Sequence, residues 1–236
     1  MKKTIFSVAI LLAASALLFS SFSGKTTQPV VLGDVTFEDF LKQFPAGSLP
    51  YALDEKALQS RLELEVARLN DPENYVAPIR QRLKWEYYQF LPSLKQSSMF
   101  SRNPVTAEPV AAINTDRYHV VIYLTGRGFS RNYGEYYVAV FNNKGRHIAT
   151  NLVGSVYPTT LVSFELDKIL QVNTKTWQVN WEKDYDEHGL EDNKITGLAF
   201  LEAKSFDATK PPKTANDEET PRPDEPSAKN REGSTK

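Results

Sequence analysis

The densest group of chemically active side chains lies in one acidic segment. Its carboxylates are Asp184, Asp186, Glu191 and Asp192. Hard cations such as Ca²⁺ bind several loop oxygens, and alternating carboxylates near a glycine provide them. The pattern departs from a calcium loop, because Ile195 stands at the twelfth position, where a bidentate glutamate belongs. We therefore expect an exposed acidic hairpin tip and no resident cofactor, and Ca²⁺ binding stays open as the alternative.

Three aromatic residues form a second candidate site. Trp177 and Trp181 are directed to one face of a predicted strand, and Tyr185 continues the row. Aromatic planes on a sheet can stack against sugar rings, so the row is a candidate glycan platform. Core packing explains the same pattern, because the alternate positions hold polar residues typical of a water-facing surface. These are Gln178, Asn180 and Glu182.

The segment 126–134 is the third candidate, since it combines Arg127, Arg131 and Tyr133 with three glycines. Two guanidinium groups on a flexible backbone can bind a carboxylate or a phosphate. The glycine spacing does not match a dinucleotide-binding loop, and no helix is predicted to follow. The alternative is a solvated hairpin loop without a ligand.

Signatures of catalysis are absent from the sequence. The chain has no Cys and therefore no thiol nucleophile, and it contains neither a Gly-x-Ser-x-Gly turn nor a His-Glu-x-x-His pair. We therefore predict that the protein is not an enzyme. A pair of carboxylates that are distant in sequence but meet in space, as in a glycosidase, is left open.

Both ends of the chain differ from its middle. Lys2 and Lys3 precede an uncharged apolar stretch over residues 5–19, and small residues follow it. This pattern is typical of a secretory signal peptide, predicted over residues 1–24, and the stretch is shorter than the roughly 20 residues of a membrane-spanning helix. We expect export to the periplasm or the extracellular space, with no transmembrane span in the mature chain; an uncleaved anchor is the alternative. Residues 206–236 are rich in Pro and charge and are predicted to be a disordered tail.

The charge balance excludes one class of partner. The chain has 28 basic and 29 acidic residues, which gives a formal net charge of −1. Phosphate contacts need a surplus of Lys and Arg, so no nucleic-acid partner is expected.

Residues 25–205 are predicted to form a single α+β domain, with helices over about 36–91 and a β-meander over about 105–204. The first helix follows the cap Thr36, the second begins near Asp54, and a third extends from Pro78 to about Leu91. Period-two patterns then predict six strands, over residues 118–124, 135–141, 147–153, 160–166, 170–181 and 194–203. Short connections between them require antiparallel neighbours. We predict two or three N-terminal helices covering one face of a twisted antiparallel sheet.

The arrangement of apolar residues and turns resembles a loose group of uncharacterised exported proteins common in Bacteroidota. The resemblance covers about residues 35–206. It rests on the aromatic first helix, the Leu49, Pro50 and Tyr51 run, the Leu91 and Pro92 pair, and the hairpins that follow. It implies an envelope or periplasmic α+β protein and supplies no catalytic residues. Many members of the group look like lipoproteins, whereas this chain lacks the lipid-bearing Cys.

Together these patterns favour an exported, noncatalytic binding or interaction module of the bacterial cell envelope, whose partner is an envelope protein or a glycan. Two alternatives remain: a carbohydrate-active enzyme or sugar-binding accessory protein, and a purely structural envelope protein.

Overall fold

The computed structural model describes residues 35–79, 81–95, 105–127 and 133–212. Two helices lead the fold, α1 (Phe37–Leu41) and α2 (Glu55–Asn70). Thr36 caps α1 through a capping box with Asp39, and the Asp54 side chain caps α2 by accepting a hydrogen bond from the Ala57 amide. Both predicted helix starts are thus confirmed. No helix in the described parts of the chain is long and apolar enough to cross a membrane.

The rest of the described fold is mainly a sheet. Its strands are β1 (Tyr51–Leu53), β2 (Val105–Asn114), β3 (Tyr118–Arg127), β4 (Gly134–Asn142), β5 (His147–Val156), β6 (Thr160–Leu166), β7 (Gln171–Trp181) and β8 (Ile195–Asp207). Strands β2 to β8 follow one another in an open antiparallel meander, which confirms the predicted fold class. All six predicted strands are present. The sequence patterns missed β1 and β2.

Strand β6 joins two parts of the sheet. It pairs with β5 at only two positions, Ser155 with Val162 and Val156 with Leu161. Beyond them β1 occupies the same edge of β6, where Ala52 lies opposite Glu165. The other edge of β6 pairs with β7 over its whole length. The sheet therefore stays continuous while β5 and β6 diverge.

One face of the sheet holds the larger apolar core. Leu58 and Leu62 of α2 pack there against residues from β2 to β7 such as Val120, Val138 and Leu166. The remaining fully buried members are mostly branched aliphatic residues, which suit a pleated surface.

The opposite face of β2 to β4 holds a second, aromatic core. Phe40 and Tyr87 pack there against Val121, Tyr123 and Phe141. Helices therefore lie on both faces of the central strands, and the prediction that they cover one face is wrong in this respect. The sequence indicates that α1 and α2 each have an apolar side, but it does not indicate which face of the sheet each side contacts.

The predicted third helix is also wrong over its first half. Residues 81–84 are irregular, and Ile79 is fully exposed. A 3₁₀ helix (Trp85–Phe90) and a short α3 (Pro92–Lys95) replace the helix. The Leu83 amide donates to the Ala107 carbonyl on the outer edge of β2, so tertiary pairing overrides the helical period here.

The predicted tail begins too early. Phe206 and Asp207 belong to β8, and Ala208 is fully buried. The Asn151 side chain donates to the carbonyls of Ala208 and Lys210, which fixes this segment on the sheet. The predictions for residues 1–24 and 213–236 lie outside the described residues.

Candidate functional site

The strands β3 and β4 position a cleft at one end of the sheet. The cleft has a volume of about 640 Å³. Its described lining combines polar, aromatic, small and aliphatic residues: Ser93, Leu94, Val105, Thr125, Gly126, Tyr133, Gly134, Glu135, Tyr137 and Tyr157. We call it the Glu135 cleft. Thr125 and Glu135 lie opposite each other across the two strands, so the regular ladder fixes the position of the carboxylate.

Glu135 is the centre of a hydrogen-bond array in this cleft. Its Oε2 accepts from the Tyr137 hydroxyl at 2.7 Å, and its Oε1 accepts from the Tyr157 hydroxyl at 3.0 Å. Each carboxylate oxygen has two lone pairs, so each can accept a further hydrogen bond from a ligand. The array therefore presents a fixed anionic acceptor between two phenol rings.

A stacked tyrosine pair supports the array from below. The rings of Tyr123 and Tyr137 lie 5.5 Å apart with an interplanar angle of 16°. Tyr123 is fully buried, and its hydroxyl lies 3.0 Å from Ser93 Oγ. Burial raises the pKa of Tyr123 to about 12. Burial also raises the pKa of Tyr137, and the hydrogen bond to Glu135 adds to the increase, so both phenols stay neutral at physiological pH.

A second cleft of about 590 Å³ lies beside the first. It is bounded by the end of α2 and by the connection from β7 to β8, which contains a short helix α4 (Tyr185–His188). Glu65 on α2 is 2% exposed, and its Oε1 accepts from Arg68 Nε at 3.1 Å. This ion pair compensates the buried carboxylate. Tyr133 lines both clefts.

The hydroxyl of Tyr133 is a further polar group available to a ligand. It is buried and has no hydrogen-bond partner among the described residues. Burial raises the pKa of Tyr133, and the charge of Glu65 adds to the increase. A buried unpaired hydroxyl costs free energy, so a ligand with an acceptor atom in the second cleft would gain a hydrogen bond there.

The two indoles of the predicted aromatic row pack on the core and also donate hydrogen bonds. Trp177 and Trp181 are half-buried and pack on the larger core. The Trp177 indole donates to Ser163 Oγ and the Trp181 indole donates to the Pro158 carbonyl, both at 2.9 Å. Tyr185 stacks on Trp181 with ring centres 5.6 Å apart. The polar alternate positions 178, 180 and 182 are exposed, as the strand pattern predicted.

The described residues of the acidic segment make different local contacts. Asp184 caps α4 by accepting from the amides of Asp186 and Glu187. The Asp192 amide donates to Asn70 Oδ1, which connects the segment to the end of α2. Glu191 lines the second cleft. Within the described ranges, no group of three or more His, Asp or Glu residues is placed to hold a metal ion.

The structure brings together only part of the arginine-containing segment. Arg127 ends β3 opposite Val105, and Tyr133 lies in both clefts, whereas Arg131 falls outside the described residues. Tyr133, Tyr185 of the aromatic row and Glu191 of the acidic segment line the same second cleft. All three candidate regions thus contribute a residue to it.

Sequence reasoning missed the residues at the centre of the first cleft. Glu135 and Tyr137 were assigned only to a strand, and Tyr157 to no element. The period of two places Glu135 and Tyr137 on one face directly after the predicted loop, and this signal could have identified them. Tyr157 reaches Glu135 from the end of β5, a contact that only the strand pairing creates.

No protein family model, no curated protein and no solved structure matches this chain.

Proposed function

We propose that this protein is an exported, noncatalytic binding module of the bacterial cell envelope, and that its ligand is a glycan bound in the Glu135 cleft. The observation that carries the proposal is the carboxylate of Glu135, which accepts hydrogen bonds from Tyr137 and Tyr157 in an open cleft. The cleft volume falls within the range of small-molecule sites.

The chemistry of the cleft matches that of a sugar. A sugar ring offers apolar C–H faces and many hydroxyl groups. Tyr157 is 38% exposed, so its ring is accessible for stacking. Glu135 accepts from sugar hydroxyls, and the hydroxyls of Ser93 and Thr125 both donate and accept. A neutral polyhydroxylated ligand therefore suits this lining.

The predicted export fits this ligand class. A leader over residues 1–24 would deliver the chain to the compartment in which envelope polysaccharides are found. The sheet then acts as a rigid scaffold for a binding site at the ends of its strands. The cleft requires no metal for the hydrogen bonds described above.

Retention on immobilised envelope polysaccharide tests the proposal. The wild-type chain should be retained and should elute with soluble oligosaccharide from the same source. Tyr157→Phe and Glu135→Gln should each reduce retention, because they remove one hydroxyl and one negative charge from the array. Tyr118→Phe is the matched control, since Tyr118 packs on the larger core at the other end of β3. Equal retention of all four proteins would overturn the assignment to this cleft.

A carbohydrate-active enzyme is the second candidate, and the half-buried carboxylate of Glu135 in an open cleft is the observation that favours it. Hydrolysis by two carboxylates requires a second acid close to the first. Among the described residues that line the cleft, Glu135 is the single carboxylate. Release of reducing ends from oligosaccharides by wild type but not by Glu135→Gln would favour the enzyme over the binding module.

A further inference from the structure

In the part of the chain that the structure describes, the two outer edges of the meander differ in whether backbone covers them. The outer edge of β2 is covered by backbone, since Gly47 donates to the Ala112 carbonyl and Ala112 donates to the Pro45 carbonyl. Further along, Leu83 donates to the Ala107 carbonyl. Strand β8 has 13 residues, and among the described strands it pairs with β7 alone. Its outer backbone groups form a template for another strand.

Strand β8 exposes apolar side chains beside its charged ones. The strand contains no Pro, and Phe200 and Leu201 are 55% and 52% exposed. The pairing with β7 shifts register at Thr176 and Trp177, which leaves Leu201 without an opposite residue on β7. An exposed edge with apolar side chains favours association with another chain.

We propose that the free edge of β8 pairs antiparallel with β8 of a second copy, across a twofold axis at Ala203. Beside the axis, opposite residues have numbers that add to 406, so Glu202 lies opposite Lys204 of the second copy. The register shift at Leu201 limits this regular pairing to residues 202–204. The same contacts occur twice, as a twofold interface requires.

Charge complementarity selects this register over its neighbours. A strand that pairs with its own copy can shift only in steps that preserve the inward and outward alternation. The next register in one direction places Glu202 opposite Glu202, and the next in the other direction places Lys204 opposite Lys204. Like charges directly opposite each other destabilise a strand pair, so the register centred on Ala203 is favoured.

The charges are available for this exchange. Lys204 Nζ lies 2.7 Å from Glu202 Oε1 within one copy, and the two side chains are 67% and 49% exposed. Both residues are on one face of the strand, because they are two positions apart. Pairing across the axis therefore replaces one exposed ion pair per copy with another and buries no unpaired charge.

Sedimentation equilibrium of the full chain, expressed with its own N-terminal segment, tests the proposal by charge reversal. Wild type should form a dimer. Glu202→Lys and Lys204→Glu should each weaken dimerisation by about tenfold or more, because each places two like-charge pairs across the axis. The double variant E202K/K204E restores opposite charges and should return the dissociation constant to within about threefold of wild type.

Glu165→Lys is the matched control. Glu165 is an exposed strand glutamate, but β1 and β7 occupy both edges of β6 at that position. This variant should dimerise like wild type. A monomeric wild type, a single variant that dimerises normally, or a double variant as weak as the single ones would overturn the proposal.

Hydrogen exchange on wild type provides a readout that does not depend on the variants. The outer amides of β8 should exchange more slowly as the protein concentration rises, because the dimer covers them. Exchange rates that do not depend on the protein concentration would overturn the proposal, whether the outer amides exchange quickly or slowly.

Discussion

Gly134 is the position where one methyl group should disturb both the fold and the Glu135 cleft. It is the first residue of β4 and precedes Glu135. A Cβ atom built there would overlap the carbonyl oxygen of Thr125 and would lie 2.9 Å from Leu124 Cδ1. The Gly134→Ala variant can therefore fold only if the end of the β3–β4 hairpin opens.

The expected cost follows from these contacts. Forcing a methyl group into a filled space costs about 1–3 kcal/mol, and each ladder hydrogen bond lost by opening the hairpin adds about 1 kcal/mol. Replacing glycine in a strand returns about 0.5–1 kcal/mol. The unfolding free energy should therefore fall by about 2–4 kcal/mol, which corresponds to a drop in Tm of roughly 5–15 °C for a chain of this size.

Gly197→Ala is the matched comparison, measured with Gly134→Ala by urea and thermal unfolding. Gly197 lies in β8, and a Cβ atom there would meet nothing within 4 Å. Its replacement should leave the stability unchanged or raise it by up to about 1 kcal/mol. Equal stability of the two variants would refute the close approach of β3 and β4 described above.

Three further predictions concern titration, the buried ion pair and metal. Because the pKa of Tyr123 is raised in the folded state, the unfolding free energy should fall by about 2–3 kcal/mol as the pH rises from 10 to 12. Tyr123→Phe should show a smaller fall over the same pH range, and parallel profiles of stability against pH for the two proteins would contradict this. Arg68→Met should lower the unfolding free energy by about 1–3 kcal/mol in urea unfolding, because the buried Glu65 loses its ion pair with Arg68. Lys42→Met removes an exposed pair and should lower it by less than about 1 kcal/mol, and equal losses in the two variants would contradict the role of burial. Neither Ca²⁺ nor EDTA should change Tm. An ion bound only to the native state would raise Tm, so a rise with Ca²⁺ would assign a site to the acidic segment.

Much of the fold could be predicted because its elements have a strong period. The cap at Thr36 and the predicted start near Asp54 located α1 and α2, and the alternation of apolar residues located six strands. Strand β2 was missed because it is rich in alanine and contains Pro109, which suits an edge strand and lies at a register shift. Strand β1 has only three residues, too few to show a period.

The site was harder to predict because tertiary pairing assembles it. Tyr133 and Tyr185 were identified as candidates in two separate segments, yet nothing in the sequence indicates that both line one cleft with Glu65. The buried position of Glu65 was also unexpected, because carboxylates are seldom buried unless they are paired. The Arg68 guanidinium compensates this carboxylate on the buried side of α2, and the sequence does not indicate that pair.

Calorimetric titration of the full chain with envelope oligosaccharides tests the proposed glycan site most directly. Wild type should show saturable binding, and Glu135→Gln should weaken it about tenfold or more, because a hydrogen bond to a charged group contributes about 1.5–3 kcal/mol. Glu165→Gln, outside the cleft, should bind like wild type. Affinity that is the same in all three proteins, or heat that never saturates with wild type, would contradict the account.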